Sequence, residues 1–147
     1  MSLYPYRARP AIPARPLLPQ FSHLGGPVAV IDDDLPFIRM VERGLATEGI
    51  RIHPITTMDI DEAVRVVESA GCQAAFVDVF MYGDALGFAL VERLRANAPT
   101  STLPIVITSG ARREIGRQVE FLQRHRCSVL LKPFGLGDLL AYVQPRV

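Results

Sequence analysis

The most constraining feature of this sequence is a short apolar run that contains one carboxylate, Ala75-Phe76-Val77-Asp78-Val79-Phe80-Met81. Gly71 and Gly83 flank the run, a pattern typical of a strand buried on both faces of a parallel sheet. A carboxylate in such a strand costs free energy unless it is paired, binds a metal or lies at the end of the strand. Asp78 therefore predicts that other parts of the chain supply polar partners.

Four further segments predict the rest of the sheet: the apolar runs Val28–Ile31, Ile105–Thr108 and Ser128–Leu131, and the more polar segment Ile50–Ile55. The segments between the strands carry apolar side chains at helical spacing, as Ile115, Val119 and Leu122 do in the fourth segment. Strands that alternate with helices in this way predict an α/β fold with right-handed crossovers. We expect a doubly wound five-stranded parallel sheet flanked by five helices.

The ends of several helices are also marked in the sequence. Asp34 is predicted to cap the first helix, and Gly49 to end it. Asp59 with Glu62 three residues later resembles a capping box at the start of the second helix. The third helix is predicted over Phe88–Ala98 and the last over Leu136–Val143.

The first 27 residues differ in composition from the remainder of the chain. They hold six prolines and three arginines: Pro5, Pro10, Pro13, Pro16, Pro19, Pro27, Arg7, Arg9 and Arg15. Proline at this density excludes a helix or a central strand. We expect residues 1–27 to form a flexible extension, with a basic docking arm for a partner as the alternative, and residues 28–144 to form one domain.

Composition gives no reason to expect a nucleic acid or a membrane as partner. The chain has 16 basic and 15 acidic residues and a formal charge of +1. It lacks the long apolar run of a membrane-spanning helix and the apolar region of a signal peptide. Cys72 and Cys127 have neither disulfide-framework nor zinc-site spacing, so we expect reduced thiols and a cytoplasmic protein.

Polar residues follow the predicted strands at the points where they end. Asp32 and Asp33 follow the first strand, Ser109 the fourth and Lys132 the fifth, and Asp78 belongs to the third. Parallel strands present their carboxyl ends to one edge of the sheet, where ligands bind. Three close carboxylates repel one another unless a cation lies between them, and oxygen donors suit Mg²⁺. A carboxylate beside Mg²⁺ and a lysine has the surroundings needed to attack a phosphoryl group.

Residues 28–144 resemble the receiver domain of two-component response regulators, which has the fold of the chemotaxis regulator and flavodoxin. The resemblance lies in four motifs taken in order: Val-Ala-Val-Ile-Asp32-Asp33-Asp34-Leu-Pro36, Phe-Val-Asp78-Val-Phe80-Met81, Ile-Val-Ile-Thr-Ser109-Gly110 and Leu-Leu-Lys132-Pro133-Phe134. Each motif ends a predicted strand. The resemblance implies a flavodoxin-like strand order of 2-1-3-4-5.

The resemblance also implies a phosphoryl acceptor and a metal site. Asp78 would accept a phosphoryl group from a histidine kinase or a histidine phosphotransfer protein. Asp33, Asp78 and the backbone carbonyl of Phe80 would bind Mg²⁺, and Asp32 would hold a metal-bound water. No other cofactor is implied.

The remaining implied roles concern the switch between the unphosphorylated and the phosphorylated state. Ser109 and Lys132 would bind the oxygens of the aspartyl phosphate, and the Lys132–Pro133 peptide bond would be cis. Phosphorylation would remodel the last two helices and the fifth strand, a surface for a partner or for a homodimer. The chain would be a phosphoacceptor with at most weak autophosphatase activity rather than an enzyme. The sequence shows no DNA-binding module, so we expect no direct contact with nucleic acid.

Four positions depart from the receiver pattern. Tyr82 replaces the proline usual four residues after the phosphorylated aspartate, and the loop to Gly87 is one residue longer. Val129 replaces the aromatic residue of the switch. Phe80 and Ala111 occupy positions where side chains often assist the hydrolytic water, so we expect slow autodephosphorylation.

Two alternative functions remain open at this point. One is a pseudo-receiver, an interaction module that keeps the fold without the phosphorylation switch. The other is a phosphohydrolase of the haloacid-dehalogenase type, in which Asp32 would be the nucleophile and Asp34 the general acid. The residue that becomes phosphorylated, Asp78 or Asp32, distinguishes the receiver from the hydrolase.

Overall fold

Five parallel strands form one sheet in the order β2-β1-β3-β4-β5, which confirms the predicted topology. The computed structural model describes residues 25–143, so the predicted N-terminal extension lies almost entirely outside the described residues. The strands are β1 (Val28–Ile31), β2 (Ile52–Ile55), β3 (Ala74–Asp78), β4 (Ile105–Ser109) and β5 (Cys127–Leu131).

The described residues contain six α-helices, five between strands and one after β5. They are α1 (Leu35–Ala46), α2 (Ile60–Ser69), α3 (Leu86–Ala96), α4 (Arg112–Arg117), α5 (Val119–Arg124) and α6 (Leu136–Val143), and a short 3₁₀ helix spans Ala98–Thr100. No helix in this part of the chain has the length and apolar character needed to cross a membrane.

Both faces of the sheet are buried, because successive strand residues contribute to two separate apolar clusters. Val30, Phe76 and Val106 belong to the cluster that includes α1 and α6. Their neighbours Val77 and Ile107 belong to the cluster that includes α2, α3, α4 and α5. The sheet therefore forms the middle of three layers, as parallel sheets with helical crossovers do.

Side-chain caps fix the starts of the first two helices at the predicted residues. Asp34 accepts a hydrogen bond from the N–H of Phe37 at 3.1 Å, and Asp59 accepts one from the N–H of Glu62 at 3.0 Å. The second cap is only half a capping box, because the Glu62 carboxylate accepts from the Thr57 hydroxyl.

The predicted fourth helix is divided in two at Gln118, whose φ of −108° and ψ of 19° are not helical. Smaller corrections concern boundaries, and β4 and β5 each gain one residue, Ser109 and Cys127. The third strand ends at Asp78 and not at Met81, β2 begins at Ile52, and α3 spans Leu86–Ala96 rather than Phe88–Ala98. The end of β3 matters most, because it places Asp78 where the carboxyl ends of the strands meet.

Strand β2 lies at one edge of the sheet and contains Pro54. Proline has no N–H to donate, so within sheets it is confined to edge strands, strand starts and bulges. Pro54 is opposite Val30 of β1 and is exposed. This position agrees with the strand order, because β2 is an edge strand and pairs on one side only, with β1.

Candidate functional site

Three carboxylates converge at the carboxyl edge of the sheet. Asp32 and Asp33 directly follow β1, and Asp78 is the last residue of the neighbouring strand β3. One oxygen of each carboxylate lies within 4.8 Å of the others. Asp32 is 0% exposed and Asp78 is 7% exposed, whereas Asp33 is not buried. The predicted convergence of the three carboxylates is therefore present in the fold.

The ammonium group of Lys132 lies among these carboxylates. Its Nζ is 2.8 Å from Oδ2 of Asp32 and 3.8 Å from Oδ2 of Asp78. It also lies 4.1 Å from the centre of the Phe37 ring, a cation–π contact. The ring of Phe134 packs edge-on against Phe37. The Lys132–Pro133 peptide bond that follows is cis, as the resemblance implied.

A backbone N–H also holds each carboxylate of the cluster. Asp32 accepts a hydrogen bond from the N–H of Asp34 at 2.9 Å, and Asp78 accepts one from the N–H of Phe80 at 3.3 Å. Asp33 accepts from the N–H of Tyr82 at 2.9 Å, although 49 residues separate the two. Hydrogen bonds of this kind favour the ionised form of a carboxyl group.

The pKa values of two of the acids move in opposite directions. Burial raises the pKa of Asp78 to about 6, and the nearby charge of Asp32 adds to this effect. The N–H of Tyr82 lowers the pKa of Asp33. Crowded carboxylates whose repulsion raises a pKa are the surroundings that a divalent cation stabilises, and oxygen donors fit Mg²⁺. The acidic cluster therefore fits the implied metal.

Gly87 holds the loop that follows Asp78 against the end of β3. Its N–H donates to the carbonyl of Val79 at 2.9 Å. A Cβ at this position would lie 2.5 Å from the carbonyl oxygen of Asp78 and 2.5 Å from the Cα of Val79. Both atoms belong to the backbone, so glycine is required where this loop approaches the acid.

Ser109 ends β4 at the same edge of the sheet and is buried. Its hydroxyl oxygen accepts a hydrogen bond from the N–H of Ala111 at 3.0 Å and so closes a local turn. The hydroxyl proton is still able to be donated to a ligand. The preceding Thr108 is also buried, and its hydroxyl has no hydrogen-bond partner in the described part of the protein. The predicted phosphoryl contact of Ser109 stays a prediction.

The side chain of Phe80 packs into a row of aromatic rings. Phe80 contacts Phe88, Phe88 contacts Phe121, and Phe121 contacts His125, with ring centres 6.5, 5.1 and 4.4 Å apart. The side chain is therefore committed to packing, and only the backbone of Phe80 serves the site. Val129, the predicted switch position, is a buried core residue of β5 opposite Ile107.

Two contributors to the site were not predicted from the sequence. Phe37 faces the ammonium of Lys132. The sequence feature that could have indicated this contact is the position of Phe37 in the first turn of α1, which begins beside the acids. Tyr82 was recognised only as a departure from a family pattern. Its bond to Asp33 joins loops that are distant in the sequence, and no local pattern reveals such a contact.

Comparison with known proteins identifies the family. The model of the response regulator receiver domain matches residues 28–144. The transcriptional regulatory protein PrrA of Mycobacterium leprae (strain TN) is 32% identical over 118 residues, which cover 80% of this chain and 48% of that protein. The regulatory protein VirG of Agrobacterium fabrum (strain C58) is 30% identical over 117 residues, which cover 80% of this chain and 44% of that protein. The chain thus spans just under half the length of these relatives.

Solved structures agree with the sequence comparison. The receiver domain of NtrX from Brucella abortus is 25% identical, with a TM-score of 0.64, over 78% of this chain and 92% of that chain. The chemotaxis protein CheY4 of Vibrio cholerae shares the fold at 22% identity, with a TM-score of 0.64, over 79% of this chain and 93% of that one. With the family model matching 28–144, these likenesses show that the chain belongs to the response regulator receiver domain family.

Proposed function

We propose that this chain is a Mg²⁺-dependent phosphoryl acceptor of a two-component system, with Asp78 as the acceptor and a histidine kinase or histidine phosphotransfer protein as the donor. The observation that carries the proposal is the convergence of Asp32, Asp33 and Asp78 within 4.8 Å, with the Lys132 ammonium 2.8 Å from one acid and 3.8 Å from another. Receiver domains as a family interact with such donors.

Asp78 is better placed than Asp32 to be the nucleophile. Asp32 is fully buried, and its carboxylate is occupied by Lys132 at 2.8 Å and by the N–H of Asp34. Asp78 is slightly exposed, and Lys132 is 1 Å farther from it, at 3.8 Å against 2.8 Å. An oxygen of Asp78 would attack phosphorus as the bond to the leaving group breaks, and the leaving group would keep the electron pair. The product is an acyl phosphate.

The groups around Asp78 suit the charge on a phosphoryl group. Asp33, Asp78 and the Phe80 carbonyl would hold Mg²⁺, and Asp32 would hold a water bound to it. When bound, the ion would neutralise negative charge on the phosphoryl oxygens. Lys132 already lies between two of the acids and would pair with a phosphoryl oxygen, and the Ser109 hydroxyl would donate to another.

The proposal includes a slow return to the unphosphorylated state and no enzymatic turnover. Phe80 packs against Phe88, and Ala111 carries only a methyl group, so neither side chain has a polar atom with which to orient an attacking water. We place the phosphoryl transfer in the cytoplasm, where the free and buried thiols of Cys72 and Cys127 would stay reduced.

The output surface in this proposal is formed by α4 and α5, which together make up the predicted fourth helix, by α6 and by β5. It would bind a protein partner or a second copy of the chain. With a second copy as the partner, dimerisation would follow phosphorylation. Light scattering with and without beryllofluoride and Mg²⁺ tests this part, and an unchanged mass would contradict a phosphorylation-linked homodimer.

Intact-mass analysis after incubation with acetyl phosphate and Mg²⁺ tests the phosphoryl acceptor. Four proteins are compared: wild type, Asp78→Asn, Asp32→Asn and Asp61→Asn. The last is a matched control, because Asp61 is an exposed carboxylate that pairs with Arg93 on neighbouring helices, outside the acidic cluster. We expect one phosphoryl adduct on wild type and on Asp61→Asn, and none on Asp78→Asn.

Other outcomes of the experiment favour the alternatives. An adduct that survives Asp78→Asn and is lost in Asp32→Asn would identify Asp32 as nucleophile, as in the phosphohydrolase alternative. No adduct on wild type, together with no binding of beryllofluoride, would leave a pseudo-receiver that acts through its surface.

A further inference from the structure

The loop after Asp78 contains a very tight turn. Met81 and Asp84 form an antiparallel bridge and exchange two backbone hydrogen bonds of 3.0 Å. Between them, Tyr82 has φ of 52° and Gly83 has φ of 79°. Positive φ at both central residues is the signature of a type I′ turn. Glycine adopts this conformation readily, but a bulky residue such as tyrosine does so only at a cost in free energy.

Two hydrogen bonds of Tyr82 offset that cost, and together they join three loops. Its N–H donates to Oδ2 of Asp33 at 2.9 Å, in the loop after β1. Its phenolic hydroxyl donates to the carbonyl of Thr56 at 2.5 Å, in the loop after β2. Proline, which the receiver pattern places at this position, has no N–H and cannot adopt positive φ. The link to Asp33 thus depends on the departure from the pattern.

Asp33 is the acid of the cluster that most needs such a link. The ammonium of Lys132 pairs with both Asp32 and Asp78 at the centre of the site. Asp33 is not buried, and its contact with a distant part of the chain comes from Tyr82. An acid in this position, repelled by two neighbouring carboxylates, would otherwise turn towards solvent. A carboxylate has about four lone-pair sites, so one bond from an N–H leaves others for a cation.

We propose that Tyr82 is a positioning residue that holds the Asp33 carboxylate in place for Mg²⁺, with its hydroxyl locking the turn onto Thr56. This inference rests on the proposed function for the identity of the metal. The hydroxyl fixes the left-handed turn, the turn aims the N–H, and the N–H orients the acid. Hydrogen bonds that orient a metal ligand commonly change metal affinity by about 10- to 100-fold.

The test compares Tyr82→Phe with Thr47→Val in the full chain. Tyr82→Phe removes only the hydroxyl that locks the turn. Thr47→Val is the matched control, because it also removes a bond from a hydroxyl to a backbone carbonyl, that of Gly44 at 2.7 Å, far along α1 from the acids. Titration calorimetry measures the Kd for Mg²⁺, urea unfolding measures stability, and the NMR signal of the residue 82 amide in metal-free protein reports its bond to Asp33.

We expect Tyr82→Phe to weaken Mg²⁺ binding by about tenfold, the lower end of the range for such bonds. The amide signal of residue 82 should move upfield, as for a weakened hydrogen bond, and Thr47→Val should change neither quantity. Tyr82→Pro removes the N–H itself and should weaken Mg²⁺ binding more than Tyr82→Phe does.

Unchanged or tighter Mg²⁺ binding by both Tyr82 variants would overturn the inference and leave the proposed function standing. Wild-type protein that binds no Mg²⁺ would overturn the proposed function instead. In that case the metal-free amide signal still decides whether Tyr82 holds Asp33: a signal that is the same in Tyr82→Phe and wild type refutes the positioning.

Discussion

Replacing Asp78, the proposed acceptor, by asparagine is expected to stabilise the metal-free protein at neutral and alkaline pH. Asparagine has nearly the same shape and keeps an oxygen that accepts from the N–H of Phe80, which lies 3.3 Å from the carboxylate in wild type. What the substitution removes is a negative charge that is largely buried beside Asp32. The fold tolerates that charge at a cost in stability, as binding sites often do.

The size of the effect follows from the pKa of Asp78. It is about 6 in the folded protein, against an ordinary value of 3.8. Between these pH values the folded state binds more protons than the unfolded state, so the free energy of unfolding falls as the pH rises. At about 1.4 kcal/mol per pH unit, the loss approaches about 3 kcal/mol above pH 6. Asp78→Asn should recover most of it, or about 10 °C in melting temperature.

The assay is urea unfolding in EDTA at several pH values from 4 to 8, with Asp33→Asn as the contrasting variant. Near pH 4 wild type and Asp78→Asn should be about equally stable, and the difference should grow through pH 6. The lowered pKa of Asp33 gives the opposite sign: its charge stabilises the fold above its ordinary pKa, and that contribution is lost as the pH falls. Asp33→Asn should therefore lower stability at pH 8. Added Mg²⁺ should stabilise folded wild type more than folded Asp78→Asn, because Asp78 is one of the proposed ligands of the ion.

An Asp78→Asn protein that is no more stable than wild type at pH 8 in EDTA would refute this prediction. A difference between the two proteins that does not depend on pH would refute it as well. Either result would mean that Lys132 already compensates for the buried charge of Asp78.

Three further predictions concern other residues of the site. Lys132→Met leaves the buried Asp32 without its partner, so the free energy of unfolding at pH 7 should fall by about 3 kcal/mol in urea unfolding. Gly87→Ala places a Cβ 2.5 Å from a backbone oxygen and should cost about 1–3 kcal/mol and slow phosphoryl uptake. Gly116→Ala, in open space, is its control and should be neutral or slightly stabilising. Ala111→Glu should shorten the lifetime of the phosphoryl adduct in intact-mass measurements, and an unchanged lifetime would contradict the proposed reason for slow dephosphorylation.

The sheet could be predicted from sequence because every strand except β2 is a short apolar run that ends at polar residues. The β1 bounds, the cap at Asp34 and the bounds of α6 agree with the prediction. The division of the fourth helix could not be predicted in this way. Ile115, Val119 and Leu122 are buried in the two short helices just as they would be in one continuous helix, so the apolar spacing does not reveal the break at Gln118.

The central charged residues of the site were predictable for the same reason as the sheet. Asp32, Asp78 and Lys132 lie at strand ends, and topology alone brings strand ends together. The contact of Tyr82 with Asp33 depends instead on backbone conformation. A type I′ turn is most often signalled by Asn-Gly or Asp-Gly, and the sequence here is Tyr82-Gly83, which carries only half of that signal.

The proline in β2 makes the two edges of the sheet unequal. An open edge strand is a template on which another chain can add a strand, and proline is one of the residues with which proteins prevent this. Pro54 interrupts the row of donors on one edge, so a partner that extends the sheet would meet a poor template there. The opposite edge is β5, the strand that leads to Lys132. An added strand on that side would lie beside Lys132, the proposed partner of the phosphoryl group, and assembly of the sheet would then be linked to the chemistry of the site.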